Sequence, residues 1–372
     1  MDCFEAQRRD LADLAARSRA RRLAVRTGRD FASNDYLALA GDPALAAAVR
    51  AAIDAGVPIG SGGSRLLRGN HAAHERLEAA AARFFGAESA LYFSTGYAAN
   101  AALLSTLPQR GDLIVHDALV HASAHEGIRL GRAEARAAAH NDPDAFEDVI
   151  AAWRAASGTG RVWIAVESLY SMDGDRAPLD ALAAIADRHD AVLIVDEAHA
   201  TGVFGPEGRG LAAGLAGREN LITLHTCGKA LGCEGALLCG PAVVRDFLVN
   251  RGRAFIFSTA PSPLMAAAVE AALGLITAPG RRERLHALIA QAEALLAPAG
   301  VQATGSQIVP LVLGEDARTM AVAAALQDRG FDVRGIRPPT VPVGTSRLRI
   351  SLTLNVTEGD VAALADALGS LA

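Results

Sequence analysis

The sequence is almost without lysine. Of its 36 basic residues, 35 are arginine, and Lys229 is the single lysine among 372 residues. Arginine serves wherever a fixed positive charge is enough, but its guanidinium keeps its proton at any working pH and cannot attack as an amine. A sole surviving lysine is therefore a candidate chemical residue. The plain alternative is an exposed survivor of a composition biased toward arginine, and the count alone does not separate the two. Other scarcities exclude whole classes. Four cysteines in so long a chain are too few for a disulfide scaffold, so we expect reduced thiols and a cytoplasmic protein. The net charge is −5, which leaves no basic field for nucleic acid. The strongest apolar runs, 191–195 and 308–313, are strand-length. A membrane span needs about 20 consecutive apolar residues, so no membrane contact is expected. The start, Met1-Asp2-Cys3-Phe4, soon turns charged and does not read as a secretory signal. With 51% hydrophobic and 21% charged residues, general disorder is excluded too.

What is present is an alternation. Short apolar runs at 90–94, 113–116, 162–166, 191–195, 221–225 and 236–239 read as strands, with helical patterns between them, for example 71–85 and 179–188. Such alternation predicts an α/β fold with a mostly parallel sheet and helices on both faces. Ahead of it, residues 4–25 read as an Arg-rich amphipathic helix outside the core. After Arg251 the texture changes: a helical region over 263–296, a strand at 308–313, a helix at 318–329, strands near Val333 and Leu348, and a last helix over 358–371. We therefore expect an N-terminal helical arm over 1–40, a large α/β domain over 41–260 and a smaller C-terminal α+β domain over 261–372.

The chemistry is expected at strand ends. Val195-Asp-Glu-Ala-His-Ala-Thr-Gly202 follows an apolar strand and places Asp196 and His199 at its C-terminal edge, where open α/β sheets bind ligands. Lys229 likewise sits just past a strand, in Thr226-Cys-Gly-Lys-Ala-Leu-Gly232. A lysine with a carboxylate partner is what pyridoxal phosphate (PLP) chemistry requires, namely an amine for a Schiff base and an anion to keep the pyridine nitrogen protonated. Ser94-Thr-Gly-Tyr-Ala-Ala-Asn100 opens a helix and offers hydroxyl and amide groups to a phosphate, although an ordinary helix cap would look the same. His121 has a flat ring that can stack on a cofactor; a structural histidine is the simpler reading of that residue alone. His121 and His125 have helical spacing but no acidic third ligand, so no metal site is expected. Cys227, Cys233 and Cys239 lack metal or redox spacing and read as small residues packed around the lysine. Gly60-Ser-Gly-Gly-Ser64 is no Walker loop and reads as a tight substrate turn.

Taken in order, these stretches resemble the α-oxoamine synthases, PLP enzymes of fold type I. The resemblance runs nearly end to end, through Ser33–Leu37, Gly60–Arg65, Ser94–Tyr97, Asp117–Ser123, His140–Asp142, Ser171–Asp175, Val195–His199 and Gly228–Ala230. The tail Ile336–Pro342 followed by Gly344–Arg349 is most similar to the branch that condenses L-alanine with pimeloyl-CoA or pimeloyl-acyl carrier protein in biotin biosynthesis.

The resemblance implies a PLP-dependent acyltransferase with the following roles. Lys229 would hold PLP and then act as base, Asp196 would pair with the ring nitrogen, His199 would bond the ring 3-oxygen and His121 would stack over the ring. Gly96, Tyr97, Ser171 and Thr226 would fix the cofactor, chiefly its phosphate. Asn34 and Arg349 would meet the amino-acid carboxylate, Thr340 would line the substrate site, and Arg21 is the choice for an N-terminal substrate arginine. Ser258 and Thr259 match a segment that reaches the partner subunit's phosphate, which implies a homodimer with active sites at the interface. Three departures stand out: His225 and Cys227 replace apolar or glycine residues, and Ser168 replaces a glycine. The alternatives are a sister branch using glycine and acetyl-CoA, or a binding protein that has lost its chemistry.

Overall fold

The computed structural model describes residues 2–25 and 27–371. It forms two compact units, the larger made of Leu37–Ser171 and Arg176–Arg282 and the smaller of the described residues through Tyr36, Met172–Asp175 and those from Glu283 onward. The chain begins in the smaller unit with α1 (Glu5–Ala16) and the two-residue strand β1 (Arg29–Asp30). Helix α1 buries none of its residues, and it ends well before Val25 because Ser18 turns to φ 57°.

The larger unit carries α2 (Pro43–Asp54) and α3 (Ala72–Phe85), then β2 (Ser89–Phe93), α4 (Gly96–Thr106), β3 (Leu113–Asp117), α5 (Ala122–Leu130), β4 (Glu134–Ala138) and α6 (Pro143–Ala155). It continues with β5 (Val162–Glu167), α7 (Leu179–Arg188), β6 (Val192–Asp196), β7 (Leu221–Thr226), β8 (Ala236–Gly240), α8 (Ala242–Arg251), α9 (Arg253–Ile256) and α10 (Pro263–Thr277). The sheet order is β2-β8-β7-β6-β5-β3-β4. Strand β8 runs antiparallel to both its neighbours and every other pairing is parallel. The mostly parallel α/β sheet expected from the sequence is the one observed. Alternate residues feed two cores: Leu113, Val115, Ile164, Val166 and Val195 pack with Phe146, Ile150 and Trp153 of α6, whereas Ile114, Ala165, Ile194 and Leu224 pack with Leu103 and Leu104 of α4.

His225 on β7 lies in this sheet fully buried, its ring stacked 3.5 Å from that of Phe85, and both of its nitrogens bonded at 2.8 Å, Nδ1 with Thr201 Oγ1 and Nε2 with Thr223 Oγ1. Burial lowers its pKa to about 3. The folded state therefore holds a neutral ring at pH values where the unfolded chain, titrating near 6.5, is protonated. Unfolded protein binds more protons between pH 6.5 and 3, so stability falls as the pH drops through that window, by up to ~1.4 kcal/mol per pH unit from this residue. In denaturant unfolding at pH 7 and pH 5, the wild type is expected to lose stability relative to His225→Leu at the lower pH. An unchanged difference between the two would mean that His225 is not held neutral.

The smaller unit contains most of α11 (Pro279–Leu296), then β9 (Ile308–Gly314), α12 (Asp316–Asp328), β10 (Phe331–Asp332), β11 (Arg334–Ile336), β12 (Ser346–Ser351) and α13 (Glu358–Gly369). Strands β11, β12 and β9 make an antiparallel sheet, and β1 pairs in parallel with β10. The structure thus divides the chain differently from the three expected segments. The N-terminal stretch through Tyr36 groups with the C-terminal unit, since Arg29 and Asp30 register with Phe331 and Asp332. The boundary near 260 moves to 282 because α10 packs its buried Ala266, Val269 and Leu273 side with α2 and α3 of the larger unit. The single helical stretch expected over 263–296 is two helices. Ala278 is extended ahead of Pro279, as steric conflict with the proline ring favours. Among the described residues no single helix is long and apolar enough to cross a membrane.

Candidate active site

Three adjacent parallel strands of the larger unit end at one place: β5 at Glu167, β6 at Asp196 and β7 at Thr226, with Glu167 and Asp196 in direct register. The helices α4 and α5 begin there, at Gly96 and just after His121. Gly96, Tyr97, His121, Glu167, Asp196, His199, Thr226 and Lys229 line a single cleft together with Asn100 and Ser123.

Lys229 is held by its loop. The Cys227 amide donates to Gly235 O at 2.8 Å, Cys233 N to Cys227 O at 2.9 Å, and Gly232 N to Lys229 O at 2.8 Å. Gly232 sits at φ +63°, and a Cβ there would lie 2.4 Å from Ala40 N, so the turn that presents Lys229 requires glycine. Cys227 and Cys239 are buried, with burial raising both thiols, and Cys233 is half-buried. Cys227 and Cys233 share the lysine's loop, whereas Cys239 sits within the sheet on β8, opposite Thr223.

Asp196 has a donor on each oxygen. Oδ1 accepts from Ala198 N at 2.9 Å and Oδ2 from Asn100 Nδ2 at 2.8 Å. Two directed donors fix a half-exposed carboxylate at the cleft wall. His199 is buried in the turn that follows. His121 caps α5, where its Nδ1 accepts from Ser123 N at 3.2 Å and lies 2.8 Å from Ser123 Oγ. Its ring remains open to solvent, but the surrounding cleft lowers its pKa by partial desolvation; Asp196 opposes this shift and Lys229 adds to it. Glu167 is buried, and its Oε1 has no hydrogen-bond partner among the described residues. Burial raises its pKa well above the usual range, the negative charges of Asp196 and Asp117 add to the rise, and Lys229 and the Ser171 amide oppose it.

At the mouth of α4, Thr95 Oγ1 accepts from Ala98 N at 3.0 Å and Thr95 O from Ala99 N at 3.1 Å. The Gly96 and Tyr97 amides belong to the first turn, at the positive end of the helix dipole and beside the Thr226 hydroxyl, and among the described residues no backbone or side-chain acceptor takes them. Amide donors for a phosphate, one primary amine, an oriented carboxylate and a flat imidazole in one cleft are the donor set that PLP needs, and these residues fit it.

The other expected residues fall elsewhere. Ser171 is linked to the cleft through its amide, which hydrogen-bonds to Glu167. Ser258 and Thr259 lie outside it, in a segment pinned to the glycine-rich turn by Ala260 N donating to Gly63 O at 2.9 Å and Ser61 Oγ to Ala260 O at 2.8 Å. Asn34, Arg349, Arg21 and Thr340 belong to the smaller unit. There Asn34 and Arg349 meet on Tyr36, whose buried hydroxyl donates to Asn34 Oδ1 at 3.0 Å and accepts from Arg349 Nη2 at 3.4 Å. Arg349 Nη1 also donates to Ser351 Oγ at 2.6 Å. Arg21 and Thr340 are exposed; Arg21 follows Ala20, whose carbonyl accepts from Arg337 Nη2 at 2.6 Å. Among the described residues no group of three or more His, Cys, Asp or Glu side chains is placed to hold a metal. Asn100, Ser123, Glu167 and Tyr36 are the residues that sequence reading left without a role. All four stand inside or beside the motifs, but nothing in a linear pattern says which of their neighbours they will touch.

The family model for class I and II aminotransferases matches residues 27–368. The chain is 46% identical over 352 residues to the 8-amino-7-oxononanoate synthase of Anaeromyxobacter dehalogenans strain 2CP-1, covering 92% of this chain and 87% of that one. Among solved structures it is similar to the S. paucimobilis serine palmitoyltransferase with a bound PLP–myriocin aldimine, with a TM-score of 0.88, 27% identity and coverage of 99% and 97%. It is also similar to 8-amino-7-oxononanoate synthase from Francisella tularensis, with a TM-score of 0.78, 28% identity and coverage of 92% and 97%.

Proposed function

The chain belongs to the class I and II aminotransferase family, and from that premise we propose that it condenses L-alanine with pimeloyl-CoA or pimeloyl-acyl carrier protein, yielding 8-amino-7-oxononanoate, CO2 and the free thiol carrier, as in biotin biosynthesis. The observation that carries the proposal is the convergence of the only lysine with Asp196, His199 and His121 in one cleft at the C-terminal strand edge. PLP, when bound, supplies the electron sink that makes the α-carbon of the amino acid acidic. The protein does the rest. Lys229 Nζ would hold the cofactor by its aldehyde carbon until the amino group of alanine takes that place, and the freed amine is then the base for the alanine Cα proton and the donor that returns one after CO2 has left. Asp196 would hold the positive charge of the ring nitrogen, His199 would donate to the ring oxygen and His121 would cover the ring face. The amides of Gly96 and Tyr97, with Thr226 and Ser171, would hold the phosphate end, and a second copy's Ser258 and Thr259 would complete that anchor in a homodimer. Asn34 and Arg349 would take the alanine carboxylate, Thr340 would line the substrate site and Arg21 would serve as the N-terminal substrate arginine. The protein works in the cytoplasm, where its thioester substrates are made.

Purified protein loaded with PLP is expected to release CO2 from L-alanine and a pimeloyl thioester and to form 8-amino-7-oxononanoate, identified by mass. Product only from glycine and acetyl-CoA would assign it to the sister branch, and no product from either pair would reject the proposal. Arg349 offers a finer check. Its guanidinium is buried and already oriented by Ser351 and Tyr36, so lysine cannot reproduce the paired donors. Arg349→Lys is expected to raise the KM for L-alanine by about 10–100-fold, the size of a lost charge-assisted hydrogen bond, with a smaller effect on kcat. Steady-state kinetics at varied alanine reads this, and an unchanged KM would remove Arg349 from the carboxylate site.

A further inference from the structure

We propose that Asn100 and Ser123 are positioning residues that join His121 and Asp196 into one hydrogen-bonded unit, so that the group over the cofactor ring and the group at its nitrogen are set together. The inference rests on the PLP reading above and concerns two side chains for which that reading has no use. Asn100 is buried within α4 among Ala99, Ala101, Ala102 and Leu103, where an amide side chain needs a reason. Its Nδ2 group donates twice, to Asp196 Oδ2 at 2.8 Å and to Ser123 Oγ at 3.0 Å.

The second donation fixes the direction of the chain. With Ser123 Oγ accepting from Asn100, the hydroxyl proton is free to point at His121 Nδ1, 2.8 Å away. Nδ1 also accepts from the Ser123 amide, so in the neutral ring the proton lies on Nε2. The relay therefore selects one tautomer of His121 and one orientation of Asp196. A helix cap alone would need only the Ser123 amide; the hydroxyl and the Asn100 side chain are additional. The scaffold is stiff as well. Helices α4 and α5 pack so closely that a Cβ on Gly127 would lie 2.8 Å from Asn100 O and 2.9 Å from Leu104 Cβ, so neither helix can slide without breaking the chain.

The test uses PLP-loaded full-length protein and compares wild type with Asn100→Ala, Ser123→Ala and the double variant. The readouts are the pH midpoint of the bound cofactor's visible absorbance band and the dissociation constant for PLP, with thermal melts to confirm folding. Each single variant is expected to move the midpoint by about 0.5–1 pH unit, the size that one hydrogen bond carries, and to weaken PLP binding about 3–10-fold. The double variant is expected to shift no further than the larger single one, because the links are in series. Folded variants with an unmoved midpoint, or shifts that simply add, would overturn the relay. Ser123→Ala keeps the capping amide, so it remains informative if Asn100→Ala fails to fold. A wild type that shows no visible band with added PLP rejects the cofactor reading itself, an outcome distinct from a wild-type band that the variants leave unmoved.

Discussion

Lys229→Ala is expected to lose all side-chain attachment of PLP and to lower turnover by at least about 10³-fold, since proton transfer by a placed base alone is worth about 10²–10⁴-fold and this amine also binds the cofactor. Lys229→Arg is expected to fail equally, although it keeps the charge, because a guanidinium gives up no proton. That pair of variants separates chemistry from electrostatics. The loop around position 229 is shaped by backbone bonds from Cys227, Gly232 and Cys233, so neither change removes what folds it. The lysine count makes the measurement clean. After PLP and borohydride, a side-chain adduct has only the Lys229 peptide on which to appear, with the N-terminal amine as the one competitor. Loss of the adduct on prior incubation with L-alanine would show exchange with the amino substrate. A wild-type protein without an adduct at Lys229, or an active Lys229→Arg variant, would sink the assignment.

The parts of this site that were legible in the sequence share a physical cause. The runs at 113–116 and 191–195 are branched and apolar because their strands are buried on both faces, so their ends could be located and Asp196 and His199 placed on the sheet edge. Lys229 stood out because no other residue in the chain offers that amine. What stayed hidden depends on packing between distant segments. Asn100 meets Asp196 across 96 positions and Ser123 across 23, contacts that exist only once α4 and α5 lie on the sheet. Glu167 becomes a buried acid beside Asp196 only through the pairing of β5 with β6. Strand β4 escaped for the opposite reason: Glu134-Ala-Arg-Ala-Ala138 is an edge strand with little to bury, and it carries no apolar signal. The division into units was misplaced because a two-residue pairing of β1 with β10 leaves no trace in local composition.

Asp196 carries the second large expectation. Asp196→Asn keeps the size of the side chain and removes its charge, and turnover is expected to fall by about 10²–10⁴-fold, the range for a group that stabilises charge formed along the reaction. The geometry adds a cost of a different kind. Both oxygens of Asp196 accept hydrogen bonds, from Ala198 N and from Asn100 Nδ2, whereas an introduced amide has one acceptor and sets its NH2 against the other donor. Leaving one buried donor unsatisfied costs about 1–3 kcal/mol of stability. Of the two donors, the Asn100 amide has the greater freedom to turn. Its rotation would direct its oxygen at the new NH2 and withdraw the donor from Ser123 Oγ. Asp196→Asn combined with Asn100→Leu is therefore expected to recover part of the lost stability, because the conflicting amide has gone, and none of the turnover, because the charge has not returned. Denaturant unfolding and kcat on the same preparations read the two effects separately. Recovery of turnover in the combined variant would mean that Asp196 acts by shaping the cleft and not by its charge.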